Sequence, residues 1–309
     1  KETVSRTLVV ALVLSIAFSV VVSTAAVLLR PAQIQNQNLD IKTNILSAAG
    51  MLESGSSAEQ IEDAFARFDV RLVDLDTGEF VEPSDVGVQD PMKYDMYKAA
   101  SDPQMSTNIP SSEDKAGIKR RPNVAKVYTM SENGQINRVV LPIHGYGLWS
   151  TLYGFISLEG DLNTIEGLGF YAHAETPGLG GEVDNPRWKR QWVGKEVYNE
   201  ARAEPQVRLV KGGVGADAQD KEHKVDALSG ATLTSRGVEQ LVNYWMGDRG
   251  YAPFLQKLRE GEVCSWQLHP PNRFPSNRSS ALTRLPCRHC ASFPRWRAPP
   301  ACTFRFFCL

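Results

Sequence analysis

The chain has 309 residues, 42% of them hydrophobic and 22% charged, with a formal net charge of −1. That length suits one or two domains with a buried core, and the composition excludes both a disordered chain and a nucleic-acid binder that works through bulk positive charge. The average conceals a seam: residues 264–309 hold seven Arg, seven Pro and all five Cys, but no Asp, Glu or Lys. Residues 1–263 therefore carry 27 basic against 35 acidic residues, a net charge of −8, with no Cys for a disulfide, a catalytic thiolate or a thiolate metal site.

After a short segment, 1–6, residues Thr7–Leu29 form an uncharged run of 23 residues. As a helix it spans roughly 35 Å, enough to cross a bilayer with some tilt. A signal peptide would have a shorter apolar region of about 7–15 residues. Ser23-Thr24-Ala25 resembles a cleavage site, yet Val27, Leu28 and Leu29 continue the run, which favours an uncleaved single-pass anchor. Lys1 and Arg6 before the span and Arg30 and Lys42 after it are too balanced to set topology by charge. No second run of spanning length follows, so the remainder is expected on one side of the membrane.

The body reads as α+β. Residues 30–123 form a membrane-proximal α/β region and 124–262 a second domain, which holds the candidate site. Gln33–Leu52 continues the membrane helix, with apolar residues at mostly helical spacing. Ser57 and Gln60 form a capping box that opens a helix over 58–68. Val70–Leu75 and Glu79–Val81 flank Asp76-Thr77-Gly78, a hairpin signal, and Val124–Met130 and Gln135–Ile143 flank a stronger one at Asn133-Gly134. Leu152–Leu158, Phe170–Ala174 and Val207–Val210 read as further strands, and Gly212–Asp220 as a surface loop. Val238, Leu241, Val242 and Trp245 mark an amphipathic helix over about 234–246. Strands in hairpins with helices at either end predict an antiparallel sheet.

Three glycine-containing stretches hold the candidate chemistry. In Asp226-Ala227-Leu228-Ser229-Gly230-Ala231-Thr232-Leu233-Thr234-Ser235, small and hydroxyl residues precede the amphipathic helix. A helix N-terminus offers unpaired amides and partial positive charge, a ready phosphate site, and Gly230 and Ala231 permit close approach of a ligand. The plainer reading is an ordinary N-cap supplied by Thr234 or Ser235. His173-Ala174-Glu175-Thr176-Pro177-Gly178-Leu179-Gly180 reads on its own as a strand end and Pro-Gly turn. Gly145-Tyr146-Gly147-Leu148-Trp149 reads as a tight turn with aromatic packing.

Asp226-x-x-Ser229-Gly230-Ala231-Thr232-x-Thr234 resembles the covalent flavinylation signature of the FMN-binding domain family. Over about residues 1–262 the chain is similar to that family's C subunits of the sodium-translocating NADH:quinone oxidoreductase. The resemblance implies FMN esterified through its phosphate to Thr232, with Asp226, Ser229, Gly230 and Ala231 around it. A phosphodiester there keeps one negative charge beside the helix N-terminus. Ser has the hydroxyl this requires, whereas Ala and Val do not. The Glu175–Gly180 stretch resembles the family's ETPGLG motif, which makes Glu175, Thr176, Gly178, Leu179 and Gly180 flavin-pocket residues. A similar G-x-G-x-W stretch makes Trp149 a candidate stacking residue and Tyr146 a second, since aromatic faces suit a planar ring.

The resemblance further implies a membrane-anchored electron-transfer protein that is not catalytic alone. Its partners are the other five subunits of a complex that oxidises NADH, reduces ubiquinone and pumps sodium, together with a flavin transferase that attaches FMN. The expected location is the bacterial inner membrane, with the main domain on the periplasmic side. The homologous G subunit of the ferredoxin-linked electron-transport complex shares the S-G-A-T arrangement, but the body length favours the C subunit of the sodium-translocating complex. An anchored extracytoplasmic binding or sensor module with a non-covalent anion site is the alternative from another class. No catalytic side chain and no metal site are expected. The three body His (144, 173, 223) are scattered, and Cys287-x-x-Cys290 lacks a second pair at zinc spacing. Gly213-x-Gly215-x-x-Ala218 fits a loose dinucleotide fingerprint without the βαβ unit it needs. The resemblance ends near residue 263, and residues 263–309 are expected to be a disordered, out-of-frame or read-through tail.

Overall fold

The computed structural model describes residues 3–52, 55–199, 201, 204–215 and 217–261, and the expectations for the tail lie outside them. The first helix, α1, runs unbroken over Val4–Ala48. At 1.5 Å per residue it is about 68 Å long. Its apolar N-terminal part is the one stretch among the described residues long and apolar enough to cross a membrane. The side chains from residue 3 to residue 38 are exposed, whereas Ile45, Leu46 and Ala48 are buried, so one helix serves as both span and docking element. Pro31 lies inside it without ending it.

The capping box forms as expected: Ser57 Oγ accepts from the Gln60 amide, and the Gln60 side chain accepts from the Ser57 amide. It opens α2, Ala58–Phe65. Next come β1 (Asp69–Asp74), β2 (Phe80–Val81), α3 (Met96–Ser101), β3 (Ser106–Asn108) and β4 (Arg120–Pro122). The long strands follow: β5 (Val124–Glu132), β6 (Gln135–Tyr146), β7 (Thr151–Glu159) and β8 (Thr164–Ala172). The chain continues with α4 (Pro186–Lys189), β9 (Lys195–Glu196), β10 (Arg208–Val210), β11 (Lys224–Asp226), α5 (Thr232–Met246) and α6 (Ala252–Glu260).

Seven strands form one antiparallel sheet in the order β2-β1-β5-β6-β7-β8-β9. Strands on both sides of residue 123 therefore share it. The β5–β6 turn has positive φ at both Asn133 (53°) and Gly134 (79°), the backbone that an Asn-Gly hairpin selects. Side chains alternate along β6: Val139, Leu141 and Ile143 enter one core, and Val140 enters the other. The first core is closed by α5 and α6, through Leu241, Val242, Trp245, Phe254 and Leu255. The second is closed by the end of α1 and by α2, through Ile45, Leu46, Ile61 and Phe65.

Three expectations are corrected. The strand expected over 170–174 occupies 164–172, because Gly167 and Gly169 interrupt the side-chain alternation that would have marked its start. The strand expected over 207–210 pairs in parallel with β11, outside the main sheet. The helix expected from 234 begins at Thr232, since its first turn carries no apolar periodicity.

Candidate functional site

The turn before α5 is held from several sides. The Ala227 amide donates to the Val210 carbonyl at 2.9 Å, which ends the β10–β11 pair. The Asp226 carbonyl accepts from Trp188 Nε1 at 2.8 Å, and its carboxylate accepts from the Val214 amide at 2.6 Å. Gly230 takes φ 74°, the left-handed conformation that lets the chain reverse into the helix. Ser235 Oγ accepts from the Leu228 amide at 2.9 Å and donates to the Ala231 carbonyl at 3.0 Å, tying the turn to the helix that follows.

Ala231 is the N-cap and has no side-chain oxygen to cap with. Neither Thr234 nor Ser235 takes that role, contrary to the plainer expectation. Both are buried, and their hydroxyls bond elsewhere. The amides of Thr232, Leu233 and Thr234 consequently have no hydrogen-bond partner among the described residues. Thr232 itself is exposed, with its hydroxyl in the first helical turn.

Beside Thr232 opens a cleft of about 760 Å³, lined also by Ser229, Gly230, Lys211 and Arg236. Its two acids are engaged elsewhere. Asp226 holds the Val214 amide, and Glu239 accepts from the Leu209 amide at 2.7 Å and pairs with Arg208 at 3.2 Å. Lys211 and Arg236 have no ion-pair partner among the described residues, so the cleft offers two cations and a helix N-terminus to an anion.

On the other flank the organising group is Glu175, only 5% exposed. Its Oε1 accepts from the amides of Leu148 (3.0 Å), Trp149 (2.9 Å) and Ser150 (3.2 Å). Its Oε2 accepts from the Thr234 hydroxyl at 2.7 Å. Burial alone would raise this carboxyl's pKa, but the Thr234 hydroxyl and the three amides outweigh it and hold it below the usual value. The loop lies directly on α5, where a Cβ on Gly237 would sit 2.5 Å from the Tyr146 carbonyl. On this loop, on the 175–180 turn and at the helix start, apolar groups stay exposed: Tyr146 (47%), Trp149 (66%), Leu179 (45%) and Leu233 (55%). Leu179 reaches Gly230, and the amides of Gly178 and Gly180 are unbonded among the described residues. Behind the loop, His144 is enclosed by the rings of Trp245 (4.9 Å), Tyr97 (5.1 Å) and Tyr153 (5.8 Å). Burial lowers its pKa to about 4, so it is neutral at pH 7.

An FMN-binding domain model matches residues 147–247, a span that contains both flanks of this site. The C subunit of the Na(+)-translocating NADH-quinone reductase from Pseudomonas aeruginosa is 48% identical over 264 residues, covering 85% of this chain and 99% of that protein. Its counterpart from Yersinia pestis is 45% identical over 264 residues, covering 85% of this chain and 96% of that protein. The chain belongs to the family of C subunits of the Na(+)-translocating NADH-quinone reductase. The crystal structure of Shewanella oneidensis NqrC matches this one with a TM-score of 0.64 at 35% identity, covering 72% of this chain and 97% of that one.

The sequence-derived site residues of this family member gather around the start of α5, but in different settings. Thr232, Ser229, Gly230 and Asp226 line the cleft. Thr176, Gly178, Leu179, Tyr146 and Trp149 are exposed on the opposite flank. Glu175, Gly180 and Ala231 are buried, and Ala231 packs into the core. Sequence reasoning missed Arg236 and Lys211. Arg236 was findable, because it stands four residues after Thr232 and so shares its helix face. Lys211 carries no periodic signal. Only the fold brings Gly212–Gly213, read from the sequence as a surface loop, to the cleft wall.

Proposed function

We propose that this chain carries FMN as a phosphodiester on Thr232 and passes electrons from the membrane surface. The observation that carries the reading is an exposed threonine hydroxyl in an uncapped helical turn, beside a cleft with two cations that have no ion-pair partner among the described residues. The residues present fit the group. The amides of 232–234 and the cations Arg236 and Lys211 suit a phosphate. Tyr146, Trp149, Leu179 and Leu233 offer apolar surface to a flat ring, and the unbonded amides of Gly178 and Gly180 offer donors to its polar edge. The cleft volume lies within the usual range for small-molecule sites.

Bound FMN supplies the electron acceptance and release; the chain supplies attachment, orientation and the surrounding field. The positive helix end and the two cations balance the phosphodiester charge. The exposed rim leaves the cofactor reachable by a partner, as a relay requires. The remaining assignments rest on the family resemblance. The main domain faces the periplasm from the inner membrane, five partner subunits make up the rest of the complex, and a flavin transferase performs the attachment. Asp226 keeps the cleft wall in place through Val214, and Ser229 widens the approach to Thr232.

The test uses protein purified from cells that contain the flavin transferase, run on a denaturing gel under ultraviolet light with intact mass beside it. A fluorescent band and an FMN-sized mass increment, both absent in Thr232→Ala, are expected. A dark wild-type band, or a Thr232→Ala band that still fluoresces, would overturn the attachment.

A further inference from the structure

We infer that Glu175 and Thr234 form a buried positioning pair that fixes the 147–150 loop against the first turn of α5, and so sets where Trp149 and Leu148 stand relative to Thr232. The inference rests on the proposed attachment at Thr232, which makes that relative position functional.

The geometry separates positioning from cofactor contact. Glu175 accepts four donors, all from the protein: three successive loop amides converge on Oε1, and the Thr234 hydroxyl bonds Oε2. The side chain is buried among these donors, so it faces the loop and the helix turn rather than the open cleft. The surrounding backbone is shaped to it. A Cβ on Gly147 would lie 2.6 Å from Glu175 Oε1, and a Cβ on Gly180 would lie 2.7 Å from Oε2 and 2.6 Å from Thr234 Oγ1. Glycine at both positions is therefore what admits the carboxylate between the three segments. Thr234 lies one helical step beyond Leu233 on the turn that bears Thr232, so the pair joins the aromatic loop to the attachment turn through two hydrogen-bonded groups.

Thr234→Val keeps the side chain's shape and deletes one bond, and Thr234→Ser keeps the hydroxyl. Glu175→Gln is a graded control, since its oxygen can still accept from the loop and the Thr234 hydroxyl can turn to accept from its nitrogen. The first readout needs no cofactor: amide hydrogen exchange of residues 148–150 in full-length Thr232→Ala protein. Adding Thr234→Val is expected to speed exchange there by roughly five-fold or more, the equivalent of one lost hydrogen bond, while the second half of α5 stays protected. Thr234→Ser restores the protection, and Glu175→Gln falls between. The second readout is flavin emission in the folded, loaded protein, which rises in Thr234→Val as Trp149 moves and returns in Thr234→Ser.

Unchanged exchange at 148–150 in Thr234→Val overturns the positioning role. So does acceleration spread evenly over the domain, or a failure of Thr234→Ser to rescue. If flavin stays attached in Thr232→Ala, the attachment reading fails instead. The exchange comparison among the Thr234 variants still decides the pair.

Discussion

The face of the sheet that receives α1 and α2 is closed mainly by hydrocarbon. Ile45, Leu46, Ile61 and Phe65 meet Tyr128, Val140 and Phe155, with the Lys42–Glu62 and Arg138–Glu166 pairs toward the edge and the buried Ser157 opposite Val140. The face that receives α5 buries His144, Glu175, Thr234 and Ser235 in and beside its core. Burying polar groups costs stability unless they are bonded, but the bonds are directional in a way that dispersion is not. The anchoring face needs only tight contact. The cofactor face must hold a loop and a helix end at a set mutual angle, and it uses hydrogen bonds to do so. The two faces should therefore fail differently: loss of packing on the first lowers stability and leaves the site intact, whereas loss of a polar group on the second changes the site's shape.

The largest effect separates the faces cleanly. Leu46 is completely buried between α1, α2 and the sheet. Truncation to Ala removes its contacts and leaves a cavity, at a cost of about 2–5 kcal/mol. Urea unfolding of the protein in detergent should show that loss, with flavin still attached to the folded fraction. A Leu46→Ala protein of normal stability would mean that α1 does not dock as described. One that folds but loads no flavin would mean that the two faces are coupled.

The next effect belongs to the cofactor face and depends on pH. His144 titrates near 6.5 when unfolded, but burial lowers it to about 4 in the native state. Between those values the unfolded chain binds more protons, so stability falls as pH falls. The contribution is complete above about pH 6.5 and lost by about pH 4, an amount on the order of 3 kcal/mol. His144→Gln should flatten this stretch of the stability profile. A profile equally steep in the variant would place the acid sensitivity elsewhere. Glu175 acts in the same direction but lower on the scale. Its carboxyl is held below its ordinary value, so its share is lost only as pH drops beneath the unfolded value of about 4.3.

Much of the anchoring side was legible in the sequence, because its signals are local. An uncharged run, a capping box and Asn-Gly between alternating strands each act within a few residues, and the structure has all three. The cofactor side was legible as motifs but not as geometry. Thr232 stands out in its glycine-containing stretch, yet the helix start was placed two residues late because Thr232 and Leu233 precede the apolar face. Glu175 reads from the sequence as a pocket lining. Its partners, 25–27 residues earlier and 59 later in the chain, come together only when β6, β7 and α5 have packed. Likewise, Gly167 and Gly169 hid the first two-thirds of β8, and the parallel β10–β11 pair joins segments that no local pattern connects.

The smallest expected effect lies at the cleft and sharpens the contrast from the other direction. Arg236 is exposed, has no ion-pair partner among the described residues and lies one helical turn beyond Thr232. Arg236→Gln should therefore leave unfolding free energy within about 0.5 kcal/mol of the parent. Its role is to favour negative charge at the helix end, an exposed interaction worth up to about 1 kcal/mol. Attachment of flavin should thus slow by roughly five-fold at most, by the same conversion, and the gap should close as salt screens the charge. Attachment rates in parent and variant at low and high ionic strength make the comparison. Lys211 and the amides of 232–234 remain in the variant, so complete loss of attachment would show that Arg236 does more than supply charge. A deficit that persists at high salt would point to a directed hydrogen bond from its guanidinium, moving Arg236 from the electrostatic surroundings of the site into its geometry.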